Sequence, residues 1–488
     1  MKRCAGILLA VSSLPSNYGM GDFGDSAYKF IDILKNTGFK IWQILPLNPL
    51  GFGNSPYQPY SSKAIDELYI SLEKLTEEGL LLSTPAPFNM TKDVVDYEAV
   101  REYKGQFLKL AFEAFNNLNE FEEFNQWIKD NAWVYNYAVF ITFKKTNNKK
   151  MWTEWIPEHK FWITSQEKNV SGYEEQIRYE MWIQFIAFSQ WNKIHQYAKE
   201  NDIQLMGDIP FYVGIDSIDV WENQNYFLLD EVGNASFIAG VPPDYFSKTG
   251  QRWGNPIYNW ENLEKDEFKF WIDRIGFNIN VFDILRIDHF RAFDTYWKVP
   301  STCETAIEGE WVNAPGYKLF DKLYSVFPEI DIVAEDLGDL FDSVLVLRDH
   351  YNLPGMNILQ FTFDIDKAEY GLKDRENQLV YTGTHDNETI VGWVESLSID
   401  QKNRLFNKLS SLGIYDKDPA QAFIKLAFIN KANYAIIPLQ DILSLDNKAR
   451  MNTPSTIGSP DWEWKLVNFD KFVELSNYLR NLITSSNR

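Results

Sequence analysis

Three short acidic motifs in the second half of the chain each follow a run of apolar or β-branched residues. They are Arg286-Ile287-Asp288-His289-Phe290-Arg291, Ala334-Glu335-Asp336-Leu337-Gly338 and Thr384-His385-Asp386-Asn387. The runs before them are Asp283-Ile284-Leu285, Asp331-Ile332-Val333 and Leu379-Val380-Tyr381-Thr382. Strand ends in a β/α barrel converge on one pocket, so three carboxylates delivered in this way would meet. Cleavage of a glycosidic bond needs such a group, with one acid carrying a proton and another ionised. Arg286 lies two residues before Asp288, on the same face of an extended strand. Its guanidinium is expected to hold Asp288 below the usual carboxylate range. Glu335 has the opposite requirement, and the like charges of Asp288 and Asp386 would raise it. Asp386 would hold sugar hydroxyls and bind more tightly as positive charge develops on the ring. Singly, each acid reads as a surface or structural group; three at corresponding strand ends argue otherwise.

Other chemistries find less support. Five histidines are scattered, at 159, 195, 289, 350 and 385, and none forms an H-x-x-x-H pair, so a metal site is not indicated. His385 suits a hydrogen bond to a sugar hydroxyl, and His289 reads as structural. Gly19-Met20-Gly21-Asp22-Phe23-Gly24 matches G-x-G-x-x-G, but it comes too long after its strand, and the next strand ends without the acid a dinucleotide site requires. A G-x-S-x-G elbow for Ser/His/Asp chemistry is absent. Most of the 17 tryptophans belong in a core. Trp253 differs because it lies in a Gly/Pro-rich segment, where its indole could stack on a pyranose. Tyr57, in Asn54-Ser55-Pro56-Tyr57-Gln58, has the same standing.

Eight apolar runs must position these groups: 6–9, 41–45, 204–206, 284–287, 332–334, 358–361, 379–382 and 435–439. Helical patterns separate most of them, as parallel β/α units require. Eight is the count for a (β/α)8 barrel, although alternation alone also permits a doubly wound sheet. The units are uneven. Between the second and third runs, approximately 51–200 reads as an inserted helix-rich subdomain. After the third, approximately 209–265 reads as an inserted loop or lid region. The six glycines and prolines between Gly240 and Trp260 there exclude regular structure on this reading. The whole, 1–488, is read as a single catalytic domain, and about 50 residues after the eighth run leave room for helices and not for a C-terminal β-sandwich domain.

Composition narrows the partners. A formal charge of −21 disfavours nucleic acid and anionic membrane, and suits an uncharged substrate. The two cysteines, Cys4 and Cys303, have neither disulfide-framework nor metal-ligand spacing, as in a reducing compartment. The run from Cys4 to Val11 is short for a signal peptide and reads as a first buried strand. A cytoplasmic location is expected.

At the acidic motifs the chain resembles the 4-α-glucanotransferase family, also called amylomaltase or disproportionating enzyme. The resemblance extends through Ser13-Leu14-Pro15, Trp42-Gln43-Ile44-Leu45-Pro46-Leu47, Ser55-Pro56-Tyr57-Gln58 and Gly207-Asp208-Ile209-Pro210. It continues in Ala239-Gly240-Val241-Pro242-Pro243-Asp244-Tyr245-Phe246-Ser247, Trp253-Gly254-Asn255-Pro256 and Ala449-Arg450-Met451-Asn452-Thr453-Pro454. It implies a (β/α)8 TIM barrel with inserted helical and loop subdomains, and a retaining transferase acting on maltooligosaccharides, amylose or other α-1,4-glucans, with glucose as an acceptor. It also implies Asp288 as nucleophile, Glu335 as general acid/base and Asp386 as transition-state stabiliser, with Tyr57, Asp244, Trp253, Arg286 and His385 binding sugar. Neither cofactor nor metal is implied. Departures from the family pattern fall at Phe52, Lys63–Glu67, Ala292, Ala314, Glu388 and Ser455, none of them one of the three acids. An α-amylase-type hydrolase with the same acids is the nearest alternative, and a non-catalytic glucan-binding protein is the alternative of another class.

Overall fold

Short apolar runs become parallel strands when helices return the chain in the same direction each time. The computed structural model describes residues 3–488 apart from 89–92, 119–120, 244–246, 339, 364–374 and 455. Asp244, Ser455 and the side chain of Phe52 therefore lie outside the described residues. The strands are β1 (Cys4–Leu8), β2 (Ile41–Gln43), β3 (Gln204–Ile209), β4 (Phe237–Val241), β5 (Gln251–Pro256), β6 (Ile284–Ile287), β7 (Thr295–Pro300), β8 (Glu310–Asn313), β9 (Ile332–Ala334), β10 (Gly355–Ile358), β11 (Gln378–Tyr381) and β12 (Tyr434–Pro438).

Eight of these form one parallel sheet in the order β10-β11-β12-β1-β2-β3-β6-β9. The Ala334 N–H donates to the Pro354 carbonyl at 2.9 Å, bringing the end of β9 to the start of β10 and closing the sheet into a barrel. The barrel reading holds, and a doubly wound sheet is excluded. Helices cover the outside while side chains fill the inside, so both strand faces are buried and the runs lack alternation. Cys4–Leu8 is such a strand, buried throughout and paired with β12 on one side and β2 on the other. One residue illustrates the packing: a Cβ at Gly6 would lie 2.9 Å from the Ile41 carbonyl oxygen and 2.6 Å from the Ile436 side chain.

Two expectations need correction. The sixth run is a strand over Gly355–Ile358, followed by a helix over Leu359–Thr362. Its apolar residues continue past the turn, and a short buried helix and a short buried strand look alike in sequence. The larger correction concerns the segment after Gly240. It is not irregular: β4 and β5 pair antiparallel and join β7 and β8 in a second sheet, ordered β5-β4-β7-β8. The glycines serve that pairing. A Cβ at Gly240 would meet the Gln251 carbonyl oxygen at 2.2 Å, so glycine here allows two backbones to approach closely.

Between β2 and β3 run the helices Tyr97–Leu118, Glu122–Asp130, Trp133–Thr146 and Glu174–Glu200. They interlock through aromatic pairs such as Phe112 with Trp182, at 5.4 Å between ring centroids. The final helix, Asp470–Ser485, is tied to the first turns of the fold by Arg480 Nε, which donates to the Asn36 carbonyl at 2.7 Å. No described helix is long and apolar enough to cross a membrane.

One buried acid ties the strand ends together beneath the third acidic motif. Asp441 accepts from Thr382 Oγ1 at 2.5 Å and from the Ile390 N–H at 2.8 Å, and burial pushes its carboxyl up to about 6. A folded-state value above the unfolded one gives stability that is complete below about pH 4 and lost as pH rises through 6. Asp441→Asn should therefore remove a fall of about 3 kcal/mol between those pH values. Urea unfolding midpoints of the two proteins at pH 4 and pH 6.5 would measure it.

Candidate active site

The site is built on a buried ion pair inside the barrel. Asp208 on β3 and Arg286 on β6 are register partners, so their side chains leave adjacent strands side by side. Arg286 Nη1 donates to both Asp208 oxygens, at 2.6 and 2.5 Å, and Nη2 donates to Asp288 Oδ1 at 3.1 Å. Only 4% of the Arg286 side chain is exposed. Asp208 and Asp288 hold its ionisation well above the ordinary range, against the effect of burial. Tyr57 completes the cluster by donating its hydroxyl to Asp208 Oδ2 at 2.8 Å.

The barrel ladder runs on past the strand ends and carries two acids with it. The Asp288 N–H donates to the Ile209 carbonyl (2.9 Å), and the Glu335 N–H to the Ile287 carbonyl (3.1 Å). His289 then takes a left-handed conformation, φ 54°, uncommon for a residue with a Cβ. This turn aims its N–H at Glu335 Oε2, at 2.7 Å, while the Leu337 N–H donates to Oε1 at 3.2 Å. Both carboxylate oxygens of Glu335 are thus held by backbone.

The electrostatics differ from expectation at Asp288. Burial raises its carboxyl well above the usual range; Arg286 opposes this, but Glu335, Asp208 and Asp386 add to the rise. Arg286 cannot hold Asp288 low because it already neutralises Asp208. Glu335 is raised, but not for the expected reason: burial is the largest cause and Asp336 adds to it, opposed by Arg286 and the His289 and Leu337 N–H groups. The two acids titrate as a pair and keep a proton to higher pH than an isolated carboxyl would.

Asp386 enters from the turn after β11. Its side chain is 45% exposed, and His385 Nε2 lies 3.4 Å from its Oδ2. The His385 ring stacks on Tyr57 at 5.1 Å and 17°, and burial lowers its basicity against the opposing pull of Asp386, favouring the uncharged imidazole. Trp253 lies on β5, the hairpin strand, with its ring edge-on to His289 at 4.8 Å and its carbonyl accepting from Gln58 Nε2 at 2.9 Å. A cleft of about 650 Å³ is lined by Tyr57, Trp253, Asp288, His289, His385 and Asp386, and also by Tyr212, Asn452 and Trp462. Arg286 is buried behind Asp288, and the partly exposed Glu335 is held beside His289. The structure thus brings together every sequence-predicted residue except Asp244, which is not described. Among the described residues no group of three or more His, Cys, Asp or Glu could hold a metal ion.

Four contributors were not singled out from sequence. Asp208 lies inside β3, in register with Arg286 and not beyond the strand as Asp288 and Glu335 are, so a rule based on acids after strand ends does not single it out. His289 was read as structural, yet it lines the cleft and binds Glu335 through its backbone. Asn452 and Trp462 arrive on a loop after the last strand; Asn452 lies in the family-like run 449–454, but no strand end or periodicity marks either as part of the site. Removing one partner of a buried ion pair leaves an uncompensated charge, at a cost of about 3–5 kcal/mol. Asp208→Ala should lose that much stability in urea denaturation.

Comparison with known proteins follows the geometry. A family model described as 4-alpha-glucanotransferase matches residues 9–470. A 4-alpha-glucanotransferase of Synechocystis is 44% identical over 481 residues, covering 95% of this chain and 94% of that protein. One from Thermus thermophilus is 38% identical, covering 100% of this chain and 99% of its own. A solved amylomaltase from Streptococcus agalactiae, in complex with acarbose, superposes with a TM-score of 0.95 at 34% identity, with both chains fully covered. A barrel whose strand ends gather these acids, matched end to end by such relatives, belongs to the 4-alpha-glucanotransferase family and carries its activity.

Proposed function

We propose that this cleft moves segments of α-1,4-glucan by retaining double displacement, with Asp288 as nucleophile, Glu335 as general acid and base, and Asp386 as stabiliser of the developing charge. One observation carries the assignment: the residue immediately after Asp288 hydrogen-bonds the Glu335 carboxylate at 2.7 Å, while Asp386 faces the same cleft. Asp288 attacks the anomeric carbon as Glu335 protonates the departing oxygen, and a covalent β-glycosyl–enzyme forms. Glu335 then takes the proton from the 4-hydroxyl of a second glucan, which attacks with a second inversion. Burial supports the protonated start of Glu335. With the single proton of the pair on Glu335, Asp288 is ionised beside Arg286 and able to attack.

Maltooligosaccharides, amylose and glucose are the substrates of this reading, with no nucleic acid, membrane, cofactor or metal involved. Tyr57, Trp253, Arg286 and His385 bind sugar, and Asp244 is assigned with them by family resemblance alone. We treat 51–200 as a helix-rich insertion and 209–265 as the lid, whose β4–β5 hairpin brings Trp253 to the cleft and excludes water during transfer. The two cysteines are free, which supports a cytoplasmic setting.

Digestion of maltotriose tests the reaction: transfer yields glucose together with a ladder of longer oligosaccharides, whereas chain shortening alone would sink this reading in favour of a hydrolase. Asp288→Asn should lower turnover by at least about 10³-fold while leaving maltooligosaccharide binding measurable by calorimetry. The pH dependence has a definite sign. Turnover falls at low pH as Asp288 protonates, and falls at high pH as Glu335 loses its proton. In Glu335→Gln the residual activity should lack the alkaline limb.

A further inference from the structure

Asp386 projects from a turn, with nearly half its side chain exposed, and within its own segment His385 Nε2 approaches one carboxylate oxygen at 3.4 Å, which leaves the direction of the carboxylate to be completed from elsewhere. That direction is set by residues 450–452. Arg450 Nη2 donates to the Asp386 carbonyl at 2.7 Å, and its Nε donates to the Asn452 carbonyl at 2.8 Å. The Asn452 N–H donates to the His385 carbonyl at 3.1 Å. The first and third of these bonds hold the two segments together, and the second braces the 450–452 loop itself. A fourth reaches the functional group: Asn452 Nδ2 donates to Asp386 Oδ1 at 2.6 Å.

We propose that Asn452 is a positioning residue for the transfer reaction, orienting the Asp386 carboxylate toward the sugar ring through this amide. The inference rests on the assignment of Asp386 made above. The chemistry of the donor matters. A carboxylate that stabilises positive charge must be held without being neutralised, and a lysine or arginine at this place would cancel its charge. A side-chain amide fixes one oxygen and leaves the negative charge intact. With Oδ1 held by Asn452 and His385 near Oδ2, the remaining lone pairs are aimed into the cleft for sugar hydroxyls. The same loop then returns to the site: the Trp462 N–H donates to the Met451 carbonyl at 2.6 Å, and its ring lies 5.7 Å from those of Tyr57 and His385. Loss of the amide should therefore affect the transition state more than ground-state binding.

The test compares the full chain with Asn452→Ala, Asn452→Leu and Asp386→Asn in maltotriose disproportionation. A hydrogen bond to a charged group predicts that both Asn452 variants lower kcat by about 10- to 100-fold, with KM within about threefold of the parent. Because the loop is held by bonds that do not use this side chain, the thermal midpoint should move little. Leucine keeps the branched outline of asparagine without its hydrogen-bonding atoms, so it carries the test if alanine loosens the loop. Recovery of kcat in the leucine variant alone would reveal a packing role and overturn the proposal. So would a kcat within about twofold of the parent in both, or a change confined to KM. Asp386→Asn separates the two levels: full turnover in that variant refutes the assignment of Asp386, whereas its inactivity alongside normal Asn452 variants refutes only the positioning role.

Discussion

One guanidinium set against several carboxylates governs this molecule. Arg286 is buried inside the barrel, where an unpaired charge is costly, so Asp208 must accompany it. Their pairing across β3 and β6 neutralises the pair and leaves a single donor arm for Asp288. Among the described residues, neither the Glu335 nor the Asp386 carboxylate is paired with a lysine or arginine, Arg450 reaching only the Asp386 backbone carbonyl. The excess of negative charge favours a retained proton, and it favours any species in the cleft that develops positive charge. On the proposed mechanism both needs are met by the same imbalance.

Around that centre, the acids are aimed mostly by backbone. Strand ladders continue past the barrel rim to Asp288 and Glu335, and a left-handed His289 turns its N–H onto Glu335. A conformation of this kind persists only where the surroundings enforce it; here the His289 ring is packed between Trp253 and Tyr212. Glu335 is further steadied through its neighbour Asp336, which accepts from the Met356 N–H at 2.7 Å and pairs with Arg348. The side chains that must react are thus set by elements that do not themselves react, as precise placement requires.

The second sheet shows why a Gly/Pro-rich stretch can mislead. Glycine at 240 suggests an interruption in sequence, and in the fold it lets β4 meet β5 closely. That hairpin carries Trp253 over the cleft. The indole is therefore offered from a hydrogen-bonded strand, which suits a surface against which sugar must repeatedly dock and leave. Between the glycine count and the strand pairing lies a partner that no local reading supplies.

The identity and rough convergence of the acids were legible in the sequence, because strand ends in a parallel barrel share one rim and apolar runs mark those ends. The eight runs and the three acidic motifs are local patterns, whereas the family is legible as a resemblance spread along the chain, and the runs alone leave a barrel and a doubly wound sheet both open. What only the tertiary structure decided was the electrostatic state of Asp288, the αL turn at His289, and the contributions of Asp208, Asn452 and Trp462. Each depends on a residue distant in sequence: Arg286 is shared with a strand 78 residues earlier, and Asp386 is held from a loop 66 residues later. Periodicity records how a segment buries its own faces. It carries no record of which distant charge or amide will arrive beside it, and that arrival sets the chemistry.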